Sequence, residues 1–311
     1  MAQEGVGYVN PNSSGPQGGS RLRRIGKSIC NTEKGEFLGR TCSSWVKIGI
    51  FYTVFYACLA GFFALMLIGF FATLDERAPT QQRMYSLIKG NPGMGFRPMP
   101  NVESTLIKFS KEDNNTYQPY INNLNNFLKV YKAQNFSLED CPKDFQKDLT
   151  ICQVNMSMFG PCTEDNNYGY DEGLPCVLLK INRVYDWLPK PFSANETGLT
   201  GDEKNRFEQF ISPIRKNIPL SSNHITVSCE GENEADEDNI INVEFYPPSG
   251  FPYRFYPYMN QPGYLSPIVF ARFNVTQGAL VQVWCKLWAK NIKHHKNDKA
   301  GSTHFELFVD K

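Results

Sequence analysis

Positions 48–74 form an unbroken run without a single charged residue, and no other stretch constrains the chain as strongly. Its 27 residues, wound as a helix at about 1.5 Å per residue, reach about 40 Å, more than the roughly 30 Å hydrocarbon core of a bilayer. The run therefore predicts a membrane-spanning helix with length to spare for tilt. A core helix of a soluble domain rarely runs this far without a charge, and a cleaved signal peptide has a shorter apolar part nearer the start of the chain.

Charge next to the span does not orient it, because Lys34, Arg40 and Lys47 on one side match Arg77, Arg83 and Lys89 on the other. The farther cluster Arg21, Arg23, Arg24 and Lys27 breaks the tie. Residues 1–47 carry seven basic against three acidic side chains, which leaves 25 against 28 beyond the span. By the positive-inside rule the short tail is expected in the cytosol and the long portion outside it.

Cysteine and asparagine usage points the same way. The long portion holds Cys141, Cys152, Cys162, Cys176, Cys229 and Cys285, an even number suited to an oxidising compartment. It also holds five Asn-X-Ser/Thr sequons, at Asn114, Asn135, Asn155, Asn195 and Asn274, which are usable only on the lumenal side. A sixth sequon at Asn12 is expected to stay unmodified in the cytosol. The pattern is that of a single-pass type II glycoprotein.

Along the chain, the Gly, Pro, Ser and Asn of residues 1–20 cannot bury enough apolar surface to offset ordering entropy, which predicts disorder. Residues 1–47 are read as the tail, 48–74 as the span, 75–103 with Pro79, Pro92, Pro98 and Pro100 as an extended stalk, and 104–311 as the folded ectodomain. Inside the ectodomain, Ile121, Leu124, Leu128 and Tyr131 recur at helical spacing behind Asn114, Asn115 and Thr116, which can cap the start. The remaining signals are strand-like: 176–181, the alternations through Ile225, Val227, Cys229 and through Ile241, Val243, Phe245, the pair 267–275 and 279–287 around Thr276-Gln277-Gly278, and 304–309. They predict a mainly antiparallel sheet or β-sandwich.

Six cysteines allow fifteen pairings, among which the sequence does not choose. Sequential pairing is the economical arrangement: Cys141 with Cys152, Cys162 with Cys176, and Cys229 with Cys285. Cys30, Cys42 and Cys58 are expected to be free thiols.

Motifs for chemistry are sparse. His294 and His295 lie in the charged stretch 293–299, which reads as a solvated loop. Asp236-Glu237-Asp238 matches the metal-holding DxD of lumenal glycosyltransferases, but the acidic run 230–238 around it also reads as a solvated loop. No phosphate loop, GxSxG elbow or HExxH sequence is present, so neither cofactor nor catalytic residues are expected.

Two segments suit partners. Residues 245–264 contain eight aromatics and five prolines, a composition fit for a rigid contact surface or for a sandwich core, and both readings stay open. In the span, Tyr52, Tyr56 and Phe63 fall near one face with Ala60, Gly61 and Ala64 close by, which allows another helix to approach, with lipid contact as the alternative.

From about Ile25 onward the chain resembles the β-subunit family of the P-type sodium/potassium and proton/potassium pumps. The resemblance rests on Glu36-Phe37-Leu38-Gly39-Arg40-Thr41 with Ser44-Trp45 and Lys47, then Phe51-Tyr52, Phe55-Tyr56 and Leu59-Ala60-Gly61. It continues in Cys176 through Arg183 (CVLLKINR), Phe255-Tyr256-Pro257-Tyr258, Tyr264-Leu265 with Pro267, and the six cysteines. The resemblance implies a single transmembrane α-helix and a mainly-β extracellular domain, an immunoglobulin-like β-sandwich with an inserted helix and three sequential disulfides. It implies a non-catalytic partner of a catalytic α-subunit, required for that subunit's folding and delivery to the plasma membrane, and tuning potassium affinity. Tyr52 and Tyr56 would touch the α-subunit within the membrane, and Phe255, Tyr256 and Tyr258 outside it. Membrane lipids and a small single-span regulatory subunit are the other implied neighbours, with no nucleic acid and no cofactor. A lumenal glycosyltransferase resting on Asp236 or Asp238, and a free-standing adhesion glycoprotein, are the competing readings.

Overall fold

The computed structural model describes residues 30–31, 35–82, 85–87, 90–133, 151–192, 205, 208, 223–295 and 297–310. They fall into two compact units that divide between Leu74 and Asp75.

The first unit is a helix preceded by a small antiparallel sheet. Strands β1 (Cys30–Asn31), β2 (Glu36–Phe37) and β3 (Arg40–Thr41) pair in sequence order. The two-residue turn between β2 and β3 has positive φ at both Leu38 (52°) and Gly39 (74°), the geometry that matches the twist of a tight hairpin. Thr41 then occupies the N-cap position of α1 (Cys42–Ala72), without a side-chain capping bond; α1 starts ahead of the apolar run and spans 31 residues without a buried side chain. At that length α1 reaches about 46 Å.

Among the described residues, the second unit contains two sheets. In the four-stranded sheet the order is β4 (Met94–Arg97), β6 (Cys176–Ile181), β10 (Ile268–Val275) and β8 (Ile240–Tyr246), all antiparallel. In the five-stranded sheet it is β5 (Leu106–Ser110), β12 (Ser302–Asp310), β11 (Leu280–Trp288), β7 (His224–Gly231) and β9 (Phe251–Pro252). Every pair is antiparallel except β5 with β12, where Leu106 faces Glu306 in parallel register. The sheets meet through aromatic side chains: Phe305 of β12 lies 4.9 Å from Phe96 of β4 and 5.6 Å from Phe273 of β10, ring centre to ring centre. Edge and offset contacts of this kind add about 0.5–1.5 kcal/mol each beyond the burial itself.

The strands expected from period-two patterning appear as β6, β7, β8, β10, β11 and β12. Three others in the second unit, β4, β5 and the two-residue β9, lie where no strand was expected. β5 has only two inward side chains, Ile107 and Phe109, both 1% exposed. β4 lies inside the segment read as stalk, yet Met94 and Phe96 are buried and Pro92 O accepts a hydrogen bond from Gly301 N at 2.9 Å. The ordered part of the second unit thus begins well before residue 104; prolines flanking a four-residue strand masked the pattern.

Helix α2 (Asn114–Lys132) buries Tyr117, Ile121, Leu124, Leu128 and Tyr131 along one face, as the spacing predicts. Its cap is Asp113 rather than the asparagines after it: the carboxylate accepts from Asn115 N at 3.0 Å, an interaction worth about 1 kcal/mol. At the far end Tyr131 donates its hydroxyl to Ser266 O at 3.0 Å.

Among the described residues, two disulfides with both cysteines placed brace the second unit. Cys162–Cys176 anchors the segment ahead of β6 to that strand's first residue, across 14 positions of sequence. Cys229–Cys285 joins directly opposed residues of β7 and β11 within one sheet, across 56 positions. Cys141 lies outside the described residues, as do Asn135, Asn195 and residues 1–20. Cys42 and Cys58 are free, as expected, and exposed on α1.

Closing a loop of 56 residues should contribute about 4 kcal/mol on the chain-entropy argument. Replacing both Cys229 and Cys285 by alanine is therefore expected to lower the melting temperature of the full chain in detergent by roughly 8–16 °C by calorimetry, and a shift below about 3 °C would place the restraint elsewhere.

Candidate interaction surfaces

On α1, Tyr52 and Tyr56 stand one turn apart with ring centres at 6.0 Å and planes 23° from parallel, and are 49% and 59% exposed. Phe51 and Phe55 form a second stacked pair beside them at 6.2 Å. Tyr52, Tyr56 and Phe63 project within about 40° of each other at 100° per residue, and Ala60, Gly61 and Ala64 are likewise exposed. The Tyr52, Tyr56 and Phe63 face combines aromatic area with two hydroxyls that can bond to another helix, while Ala60, Ala64 and Gly61 lie about 80°, 120° and 180° around the helix from Tyr52.

The aromatic and proline-rich segment divides into an inner and an outer layer. Phe251, Phe255, Tyr256 and Tyr264 are buried. A short turn at Tyr253–Phe255 directs Phe255 inward, and Tyr256 stands edge-on to Trp187 at 5.4 Å with planes at 90°. Phe255 and Tyr256, at 5% and 8% exposure, thus belong to the domain's own core rather than to an open contact surface. Burial holds the Tyr256 phenol well above its usual pKa and pushes Tyr264 up to about 12, the latter opposed by a Ser266 hydrogen bond and the Arg183 charge.

Tyr258 is the member of the predicted trio that stays half-exposed. Its ring lies 5.0 Å from Tyr264, and the Arg183 guanidinium stands 5.3 Å from the Tyr258 ring centre and 5.4 Å from that of Tyr264. Arg183 also donates to Tyr264 O at 2.9 Å, and Tyr258 O accepts from Asp186 N at 2.9 Å. The result is a hydrogen-bonded cation and aromatic cluster, with exposed Arg254 and Asn260 nearby in sequence. Sequence reasoning did not give Arg183 or Trp187 a role; the available signal was that CVLLKINR, the continuation of β6, ends on Arg183.

The acidic run is not a solvated loop. Residues Glu234–Glu237 form a short helix, α3, capped by Asn233, and Asp236 is 7% exposed. One Asp236 oxygen accepts from Gln282 N of β11 at 3.1 Å and the other from Asn233 Nδ2 at 2.6 Å, while Asp238 is exposed. Asp236 is committed to holding α3 against the sheet. Gly231 is required beneath it, because a Cβ there would come within 2.2 Å of Glu237 N. His294 is likewise structural: its Nε2 lies 2.7 Å from Leu287 O and its ring 4.8 Å from Trp288.

Three sequons fall on described residues. Asn114 is exposed in the first turn of α2, and Asn274 is half-buried on β10 opposite Asn242. Asn155 Oδ1 accepts from both Ser157 N (3.0 Å) and Ser157 Oγ (2.8 Å), so the first and third residues of that sequon are already in contact.

The family described as "Sodium / potassium ATPase beta chain" matches residues 16–305, across both units. The chain belongs to this β-chain family. Among its relatives, a Drosophila melanogaster protein named sodium/potassium-transporting ATPase subunit beta-2 is 38% identical, over 93% of both chains. The same organism's subunit beta-1 is 33% identical over 94% of each. A potassium-transporting ATPase subunit beta from Canis lupus familiaris is 30% identical over 86% of this chain and 88% of its own. The sequence blocks that carried the resemblance to this β-chain family occupy the β2–β3 hairpin, the helix face, the central strand β6 and the cation and aromatic cluster.

Two expectations follow. Among the described residues the Tyr256 hydroxyl has no hydrogen-bond partner, so Tyr256→Phe should leave stability unchanged or raise it by up to about 1 kcal/mol, while Tyr256→Ala should cost about 3–5 kcal/mol in denaturant unfolding of the chain alone. A small effect of the alanine variant would return Tyr256 to the surface. Asp236→Ala should cost about 1–3 kcal/mol, and divalent cations should not shift the melting temperature of the unaltered chain, whereas a metal-dependent shift would revive the DxD reading.

Proposed function

We propose that the chain is the non-catalytic β-subunit of a sodium/potassium-transporting P-type ATPase, assembling with a catalytic α-subunit and assisting its folding, plasma-membrane delivery and potassium affinity. The observation that carries this reading is the family match across residues 16–305, which takes in the apolar helix and the β domain together. The identities of 38% and 33% to chains named for sodium/potassium transport, against 30% for one named for potassium transport, favour the first type of pump over the proton/potassium pump.

In this reading α1 crosses the membrane once, with the basic tail in the cytosol and the disulfide-bonded, glycosylated domain outside. The two packed sheets are a variant of the immunoglobulin-like sandwich, and Cys141 pairs with Cys152 as the third bridge. Tyr52 and Tyr56 contact the α-subunit within the bilayer. Outside, Tyr258 with Arg183 forms the contact, and Phe255 and Tyr256 support it from behind. Potassium affinity changes to the extent that these contacts favour one pump conformer over another. Lipids surround the rest of α1, with room for a small single-span regulatory subunit.

Co-purification tests the proposal. The tagged chain, expressed in cells and extracted in mild detergent, is expected to bring down a P-type ATPase in equal amount, identified by mass spectrometry. The double variant Tyr52→Ala/Tyr56→Ala should recover several-fold less of it, since each lost interhelical contact is worth about 0.6 kcal/mol or more. A folded glycoprotein that reaches the cell surface alone would favour an adhesion role instead.

A further inference from the structure

The hairpin ahead of α1 carries an arrangement that its turn chemistry does not explain. Leu38 occupies a position of positive φ at the tip of a two-residue turn, where asparagine, aspartate or glycine is favoured because an ordinary side chain is strained there. A leucine at that position in water accepts strain and leaves its side chain hydrated, so it is favoured only where the side chain gains an apolar surrounding. Leu38 is 53% exposed and its neighbour Phe37 is 48% exposed.

The tip is also fixed in place. Trp45, in the first turn of α1, donates its indole N–H to Phe37 O at 2.8 Å, and the two rings lie 6.2 Å apart. β3 runs directly into α1, whose first turns expose the further apolar side chains Val46 (59%) and Ile50 (61%). Arg40 of β3 and Lys47 of the second turn of α1 are exposed close by in sequence. Apolar side chains with an indole and cations at the end of a long apolar helix match the headgroup and acyl boundary of a membrane containing anionic lipid.

We propose that the β2–β3 hairpin is a lipid-surface anchor: Phe37 and Leu38 insert at the bilayer boundary, and the Trp45 hydrogen bond locks them to α1 and so fixes the depth and rotation of the helix. This rests on reading α1 as a membrane span.

The test uses the full chain with Cys30, Cys42 and Cys58 replaced by serine and a fluorophore on Leu38→Cys, reconstituted into vesicles of phosphatidylcholine and phosphatidylserine. Lipids bearing a nitroxide near the headgroup are expected to quench the fluorophore about threefold more strongly than aqueous iodide. A chain that washes off the vesicles in alkaline carbonate overturns the span itself. A chain that stays integrated while iodide quenches freely overturns the anchor alone. Shielding from both quenchers overturns it in favour of a protein partner at this site. Hydrogen exchange on the chain with its natural cysteines covers a folding defect in the labelled variant. In the same vesicles the 36–41 segment should exchange about tenfold more slowly than in Leu38→Asn, which suits the turn but lacks the apolar tip, and equal rates overturn the proposal.

Discussion

Burial of β6 on both faces is the constraint from which the rest of the second unit follows. Val177, Leu178 and Leu179 have no exposed surface, so this strand needs a layer on each side as well as a hydrogen-bonded neighbour at each edge. β4 and β10 supply the edges. The Cys162 bridge pins its first residue, and past its last residue the chain delivers Arg183 and Trp187 to the aromatic segment. The cluster around Tyr258 is tied to the most buried strand through Arg183 and Asp186 rather than standing on an independent loop.

What the sequence made legible were features repeated often enough to show a period. The inward stripe of α2 and the six strands have three or more apolar positions in phase or in a run, and the apolar helix needed no period because its length without a charge was enough. β4 and β5 place only two side chains inward, Met94 with Phe96 and Ile107 with Phe109, which is too few to separate from chance. Their strand character comes from partners far away in sequence, and no local pattern records it.

The candidate surfaces were legible in composition but not in direction. Eight aromatics between residues 245 and 264 announced an unusual segment, yet which of them turn inward depends on Trp187 and Arg183, some seventy positions earlier. The acidic run misled for a related reason. Charge density suggests solvent, but a single carboxylate with two well-placed N–H donors is stable in a buried site, and Gln282 N and Asn233 provide them to Asp236.

The parallel pairing of β5 with β12 bears on how the domain is made. Leu106 and Glu306 are partners separated by 200 residues, the longest-range strand pairing among the described residues. Chain entropy must be spent before such a pair is rewarded, so contacts of this order form late and slow the folding of the whole. Until β12 arrives, β5 and β11 each present an unpaired backbone edge, an invitation to wrong partners and a recognisable mark of immaturity. A quality-control system that reads exposed strand edges would hold this domain back until its distant segments had met, and release it as soon as they had.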